Sequence, residues 1–175
     1  MDSEIKLPDK QYQVIYADPA WRYEFSMVKS DSIENHYPTM SLEEIKNLKV
    51  GGIAADNCVL FLWATAPKLV EALEVMQSWG FKYRTNLVWD KESIGMGYWF
   101  RNQHEILLVG IRGKISPPSQ KERISSIFRE KRGKHSKKPD MIRGYIQSWY
   151  KNLSKIELFA RERYDGWDAW GNEVV

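Results

Sequence analysis

The sequence predicts an α/β protein built on a doubly wound, mostly parallel sheet. Three observations carry that expectation. Apolar runs of strand length alternate with segments of helical period. The run from Cys58 to Ala64 is apolar throughout, as a strand covered on both faces must be. The strand expected at 104–112 follows the one expected at 82–90 with no helix between them, which makes that pair antiparallel.

Taken in order, residues 12–18 read as a buried strand. Ser41-Leu42-Glu43-Glu44 is a capping box, with Ser41 as N-cap and Glu44 three positions on, and it opens a short helix whose apolar side is Leu42, Ile45 and Leu48. After the apolar strand at 58–64, Pro67 starts a helix in which Leu69, Val70, Leu73 and Met76 recur at helical spacing until Gly80 ends it. The strand pair at 82–90 and 104–112 comes next, then an irregular stretch. A helix from Pro139 follows, with Met141, Ile142, Tyr145, Ile146 and Trp149 on one side, and Lys155 to Ala160 forms a last strand before the tail. The 175 residues suit one domain, with 1–11 as an N-terminal extension and 113–137 as a basic mobile loop.

Composition narrows the function class. A hydrophobic content of 43% with 13% aromatics excludes a disordered chain. One cysteine, Cys58, excludes an internal disulfide, and three scattered histidines give no cluster with metal-ligand spacing, so neither redox nor zinc chemistry is expected and no metal. The opening Met1-Asp2-Ser3-Glu4 is polar, and the longest apolar run is too short to span a bilayer. The expectation is a soluble, cytoplasmic protein without membrane contact.

The chemistry concentrates at Asp18-Pro19-Ala20-Trp21, where the run Val14 to Ala17 stops. A strand end there presents a carboxylate, two backbone carbonyls without a strand partner and a flat ring. These suit an exocyclic amino group on a planar base. If Asp18 takes one amino hydrogen and the Pro19 carbonyl the other, the nitrogen lone pair is aimed at an electrophile and the developing charge is stabilised, while Trp21 stacks on the base. Asp-Pro is also a common turn pair, and a tryptophan beside a strand is often core.

Two further segments fit that chemistry. The net charge of +3 is small, but between Arg112 and Lys138 ten lysines and arginines face only Glu122 and Glu130, which would attract phosphates. No glycine-rich nucleotide loop follows the first strand, so a cofactor needs another site. Glu157 to Arg163, with Gly166-Trp167-Asp168 and Gly171-Asn172-Glu173, offers donors, acceptors and glycines at a strand end. The plain alternative is an edge strand with Trp167 and Trp170 packed on the core and Glu157 paired with Arg161.

The whole pattern resembles the adenine-N6 methyltransferase family that includes the catalytic subunit of the messenger-RNA adenosine methyltransferase together with bacterial and phage relatives. The resemblance runs from about residue 12 to 173. It rests on Asp18-Pro19-Ala20-Trp21 in place of Asp-Pro-Pro-Trp, Tyr37-Pro38-Thr39-Met40, Leu60-Phe61-Leu62-Trp63 and Glu105-Ile106-Leu107-Leu108-Val109-Gly110. It continues with His135-Ser136-Lys137-Lys138-Pro139-Asp140, Glu157-Leu158-Phe159-Ala160-Arg161 and Gly171-Asn172-Glu173. It implies a Rossmann-like class I methyltransferase that uses S-adenosyl-L-methionine and releases S-adenosyl-L-homocysteine. By the resemblance, Asp18 and the Pro19 and Ala20 carbonyls hold the target amino group and Asp18 lies near the methionine part of the cofactor. Lys138, helped by Ser136, pairs with the cofactor carboxylate. Arg161 and Arg163 reach the ribose hydroxyls, and Asn172 and Glu173 the adenine end. Tyr37 lies on a loop closing over the substrate base, and Lys131, Arg132 and Lys134 meet the nucleic acid.

The sequence departs from the family in three ways. Ala20 keeps a carbonyl but frees the φ angle that a second proline would fix. Residues 1–11 look too short for the additional strand of larger relatives, so another loop or a partner chain would cover the cofactor adenosine. Glu173 stands where many relatives have glutamine, leaving acceptors only. The expected activity is adenine-N6 methylation of nucleic acid, DNA ahead of RNA, with an inactive nucleic-acid-binding scaffold subunit as the other reading. Asp18, Trp21, Lys138 and Asn172 all remain in place, which argues against that scaffold. A chain this small has little surface for base readout beyond the basic loop, so its own specificity would be slight, or would come from a second copy in a homodimer or from a heteromeric partner.

Overall fold

The computed structural model describes residues 6–22, 39–97, 99–133 and 137–174. Among the described residues seven strands form one sheet in the order β5-β3-β4-β2-β1-β6-β7. The strands are β1 (Tyr12–Ala17), β2 (Ala54–Thr65), β3 (Lys82–Asp90), β4 (His104–Arg112), β5 (Ile127–Arg129), β6 (Lys155–Leu158) and β7 (Asp168–Trp170). β1 runs parallel to β2 and β6, β6 to β7, and β3 to β5. β4 runs against both β2 and β3. The expected antiparallel pair is therefore present, and the other five pairings include four parallel ones.

Helices cover both faces, which is the Rossmann-like arrangement. α1 (Leu42–Asn47), α2 (Val50–Ile53) and α3 (Leu69–Ser78) pack on one face against Ile15, Ala17, Leu60 and Leu62. α4 (Asp140–Trp149) packs on the other against Val14, Tyr16, Phe61 and Trp63. The alternation of the two sets along β1 and β2 is the period of two that sends successive side chains to opposite faces.

Local signals set most boundaries. The Ser41 capping box is made in both directions, with Ser41 Oγ accepting from the Glu44 amide and the Glu44 carboxylate accepting from the Ser41 amide at 2.7 Å. Gly80 adopts φ +86° and ends α3 with the Phe81 amide donating back to the Met76 carbonyl, a helix stop that favours glycine. The Lys155 ammonium donates to the carbonyls of Tyr150 and Leu153 at 2.8 and 2.7 Å, closing the end of α4.

Several expectations need correction. α3 is entered through a 3-10 turn at Ala66–Lys68, and its buried residues are Ala72, Val75 and Met76, while Val70 is 67% exposed and Leu73 also faces out. On α4 the inward side is Ile142, Arg143 and Ile146, and Met141 is exposed. β2 begins four residues before Cys58 because Ala54 pairs with Tyr12. The last strand stops at Leu158 because Phe159 turns to φ +61°. The stretch read as irregular contains β5, and the tail contains β7. No helix among the described residues is long and apolar enough to cross a membrane.

Candidate active site

Parallel strands place their carboxyl ends on one edge of the sheet, and ligands gather at that edge where neighbouring connections leave for opposite faces. Here β1 feeds α1 on one face, while α4 on the other face feeds β6, which lies next to β1. The ends of β1, β2, β6 and β7 and the beginning of the reversed β4 enclose a cavity of about 200 Å³. Its walls bring together residues far apart in sequence. Asp18, Pro19, Ala20 and Trp21 come from the end of β1, Glu105 from β4, Lys138 from the approach to α4, Phe159 to Arg161 from the end of β6, and Gly171, Asn172 and Glu173 from the end of β7.

Lys138 is the electrostatic centre. Its ammonium donates to Asp18 Oδ2 at 2.8 Å and lies 3.3 Å from Glu105 Oε2, and it sits 5.8 Å from the centroid of the Trp63 ring. Burial pulls the ammonium down, but the two carboxylates outweigh that and hold it above its usual value. Burial pushes the Asp18 carboxyl above the ordinary aspartate range, with Lys138 working against the rise and Glu105 adding to it. A second cation, Lys91, reaches Glu105 Oε1 at 3.3 Å.

The two carbonyls expected to lack a strand partner pair with no named strand, but each accepts one hydrogen bond. Pro19 accepts from the Trp21 amide at 2.9 Å, and Ala20 accepts from the Met40 amide at 3.1 Å. The second contact belongs to a short parallel bridge between Trp21 and Met40 that the sequence does not announce. Each carbonyl keeps a second lone pair. Trp21 is buried at 6% exposure, and its indole N–H donates to the Trp63 carbonyl at 3.2 Å. It is a fixed wall of the cavity and part of the core at once.

Arg161, Asn172 and Glu173 stand at the rim, with Arg161 Nε 3.7 Å from Glu173 Oε1. Arg163, Lys131 and Arg132 are exposed and do not line the cavity. Tyr37, Lys134 and Ser136 lie outside the described residues. Glu157 pairs with Arg143 rather than Arg161. Arg143 Nη2 donates to Glu157 Oε1 at 3.0 Å, and Nε lies 2.9 Å from Oε2.

Sequence reasoning missed Glu105, Phe159, Trp63 and Trp170. Phe159 is the informative omission. A phenylalanine with φ +61° is strained, and such strain persists where surrounding structure enforces it. The turn places Phe159 edge-on to Trp170, with centroids 5.5 Å apart, on the apolar side of the cavity. Gly171 is needed there because a Cβ would lie 2.7 Å from the Ala160 amide nitrogen and overlap the Ala160 carbonyl oxygen.

The donor set can be tested against S-adenosylmethionine. That molecule carries an amino acid, a sulfonium and a flat purine. The cavity offers Lys138 and Arg161 for a carboxylate, Asp18 and Glu105 for positive charge, and Trp63, Phe159 and Trp170 as apolar walls. The residues fit. Among the described residues no group of His, Cys, Asp and Glu is placed to hold a metal ion.

Comparison with known proteins agrees with this geometry. The MT-A70 family model matches residues 12–173. The Type II methyltransferase M.MunI of a Mycoplasma species is 39% identical over 97% of this chain and 80% of its own length. The human N(6)-adenosine-methyltransferase catalytic subunit METTL3 is 28% identical over 94% of this chain and 28% of its own. The Arabidopsis thaliana N(6)-adenosine-methyltransferase MT-A70-like protein is 27% identical over 93% of this chain and 24% of its own. The chain thus spans four-fifths of the first relative and about a quarter of the other two. A match over nearly the whole sheet, with the Asp18 strand end and the β7 rim inside it, means that the chain belongs to the MT-A70 family.

Proposed function

We propose that this chain transfers a methyl group from S-adenosylmethionine to the N6 amino group of adenine in nucleic acid, with DNA as its substrate. The observation that carries the reading is the Asp18 carboxylate at the end of β1, buried beside Lys138 in a cavity whose wall also includes the Pro19 and Ala20 carbonyls. Bound S-adenosylmethionine supplies a methyl already activated by its sulfonium, so the chain has to align an acceptor rather than create an electrophile.

Asp18 accepts one hydrogen of the adenine amino group and the free lone pair of Pro19 or Ala20 the other, which fixes the nitrogen and stabilises the charge that develops on it. A charged Asp18 is required, and Lys138 works against the burial that raises its carboxyl. Two of the three Lys138 donors are taken by Asp18 and Glu105, and the third suits the cofactor carboxylate. Arg161, Asn172 and Glu173 hold the nucleoside end at the rim. Support for DNA over RNA comes from the closer likeness to the Type II methyltransferase than to the adenosine methyltransferases.

The test is transfer of labelled methyl from S-adenosylmethionine to single-stranded DNA, duplex DNA and RNA of matched sequence, with the product nucleosides identified. N6-methyladenine in DNA is the expected product, and single strands should lead because extruding an adenine from a duplex costs a few kcal/mol. Product in RNA alone would reverse the substrate, and no product with any acceptor would reject the enzyme.

A further inference from the structure

The loop joining β3 to β4 carries the most exposed large apolar side chains of the described residues. Trp99 is 90% exposed and Phe100 84%, with Met96 and Ile94 also outside the core. Water-facing rings at this level are a cost unless something covers them.

The loop is nonetheless built, not loose. The Gly95 amide donates to the Asn102 carbonyl at 2.9 Å and the Asn102 amide to the Met96 carbonyl at 3.1 Å, while Arg101 Nε donates to the Gly95 carbonyl at 2.6 Å. A Cβ on Gly95 would lie 2.7 Å from the Asn102 carbonyl oxygen, and one on Gly97 would overlap that of Phe100. The two glycines allow a fold-back that turns Trp99 and Phe100 outward.

Position links this loop to the cavity. β3 ends at the same edge of the sheet as β1, three strands away, which is about 14 Å at ordinary strand spacing. Lys91, at the root of the loop, reaches Glu105 in the cavity wall. On the other side Asp90 pairs in register with Arg129 of β5, and the chain continues from there through exposed Lys131 and Arg132. Trp89 Nε1 donates to the Glu130 carbonyl at 2.8 Å and fixes where that basic segment leaves the sheet.

We propose that Trp99 and Phe100 form a stacking platform for unpaired bases of the DNA strand a few nucleotides from the target adenine, with Lys131 and Arg132 holding its phosphates. The proposal rests on the methyltransferase reading above. Rings without hydrogen-bond partners stack on any base, and nearby cations track the backbone, which is how single strands are held without sequence readout. A protein partner would cover the rings equally well, but the basic segment that leaves the neighbouring strand β5 at the same edge favours a polyanion with flat bases.

The test uses the whole chain and a fluorescent single-stranded DNA oligonucleotide. Trp99→Ala/Phe100→Ala should weaken binding at least tenfold with an unchanged salt slope, because only stacking is lost. Trp99→Phe should retain most of the affinity. Lys131→Gln/Arg132→Gln should flatten the slope of log K against log salt by about 1.4, or 0.7 for each phosphate contact removed. Affinity for S-adenosylmethionine should be unchanged in all three. Methyl transfer by the wild type together with unaltered oligonucleotide affinity in the double alanine variant would overturn the platform and leave the methyltransferase reading standing. A loss confined to RNA oligonucleotides, or a wild-type dimer that the alanine variant abolishes without a change in DNA affinity, would overturn it too. A wild type that binds no oligonucleotide would overturn both readings.

Discussion

Replacing Arg143 by methionine tests how firmly a buried ion pair ties α4 to the sheet. Arg143 lies in the first half of α4 and ties it to Glu157 of β6 through a hydrogen bond from Nη2 to Oε1 at 3.0 Å, with Nε 2.9 Å from Oε2 in the same ion pair. Both residues are at most 8% exposed, and the guanidinium also lies 3.5 Å from the Tyr164 ring centroid. Burial pushes Glu157 up even with Arg143 beside it, so the carboxylate depends on its partner. Removing one member of a buried pair costs about 3–5 kcal/mol, since the other charge is left without compensation. At about 2–4 °C per kcal/mol for a domain of this size, Tm should fall by roughly 6–20 °C. Thermal unfolding followed by circular dichroism reads this directly. Arg143→Met/Glu157→Leu should recover most of the loss, because a well-packed apolar pair avoids the desolvation of both charges. A single variant that loses less than about 1 kcal/mol, or a double variant worse than the sum of the singles, would refute the reasoning.

Other predictions concern the cavity. Because the amino group needs an ionised Asp18 and burial raises that carboxyl, protonation removes the acceptor as pH falls. The acid limb of kcat/KM should therefore lie above the ordinary aspartate value of about 3.9, and a limb at or below it would count against the role given to Asp18. Gly171→Ala places a methyl group against the Ala160 backbone and should shift the β7 rim. Isothermal titration should show weaker S-adenosylmethionine binding, and kcat/KM should fall by about a hundredfold, as misplacement on the ångström scale does. Affinity for single-stranded DNA should be retained.

What the sequence made legible was local. Ser41 and Glu44 announce their helix by hydrogen bonds within four residues, and Gly80 ends α3 through its own backbone freedom. The antiparallel β3 and β4 follow from the lack of any crossover between them. Misreadings fall where the answer is non-local. The face of α3 was shifted because Val70 and Leu73 are apolar yet lie outside, whereas small Ala72 takes a core position against the sheet. β5 and β7 are three residues each, too short for a period of two to register. At the site, Asp18 stands out as a strand-end acid, but the Lys138 ammonium that pairs with it comes from 120 residues further along the chain and pairs in turn with Glu105 of another strand. Met40 closing onto the Ala20 carbonyl is likewise invisible before the chain is folded. Trp99 and Phe100 were counted among the aromatics, and only the structure puts them outside.

The most direct test of the central claim compares wild type with Asp18→Ala under single-turnover conditions, with S-adenosylmethionine and DNA binding measured on both. The account predicts that the variant still binds single-stranded DNA but forms N6-methyladenine at least about a hundredfold more slowly, the cost of losing a group that stabilises charge in the transition state. Methylation by Asp18→Ala at the wild-type rate would contradict it.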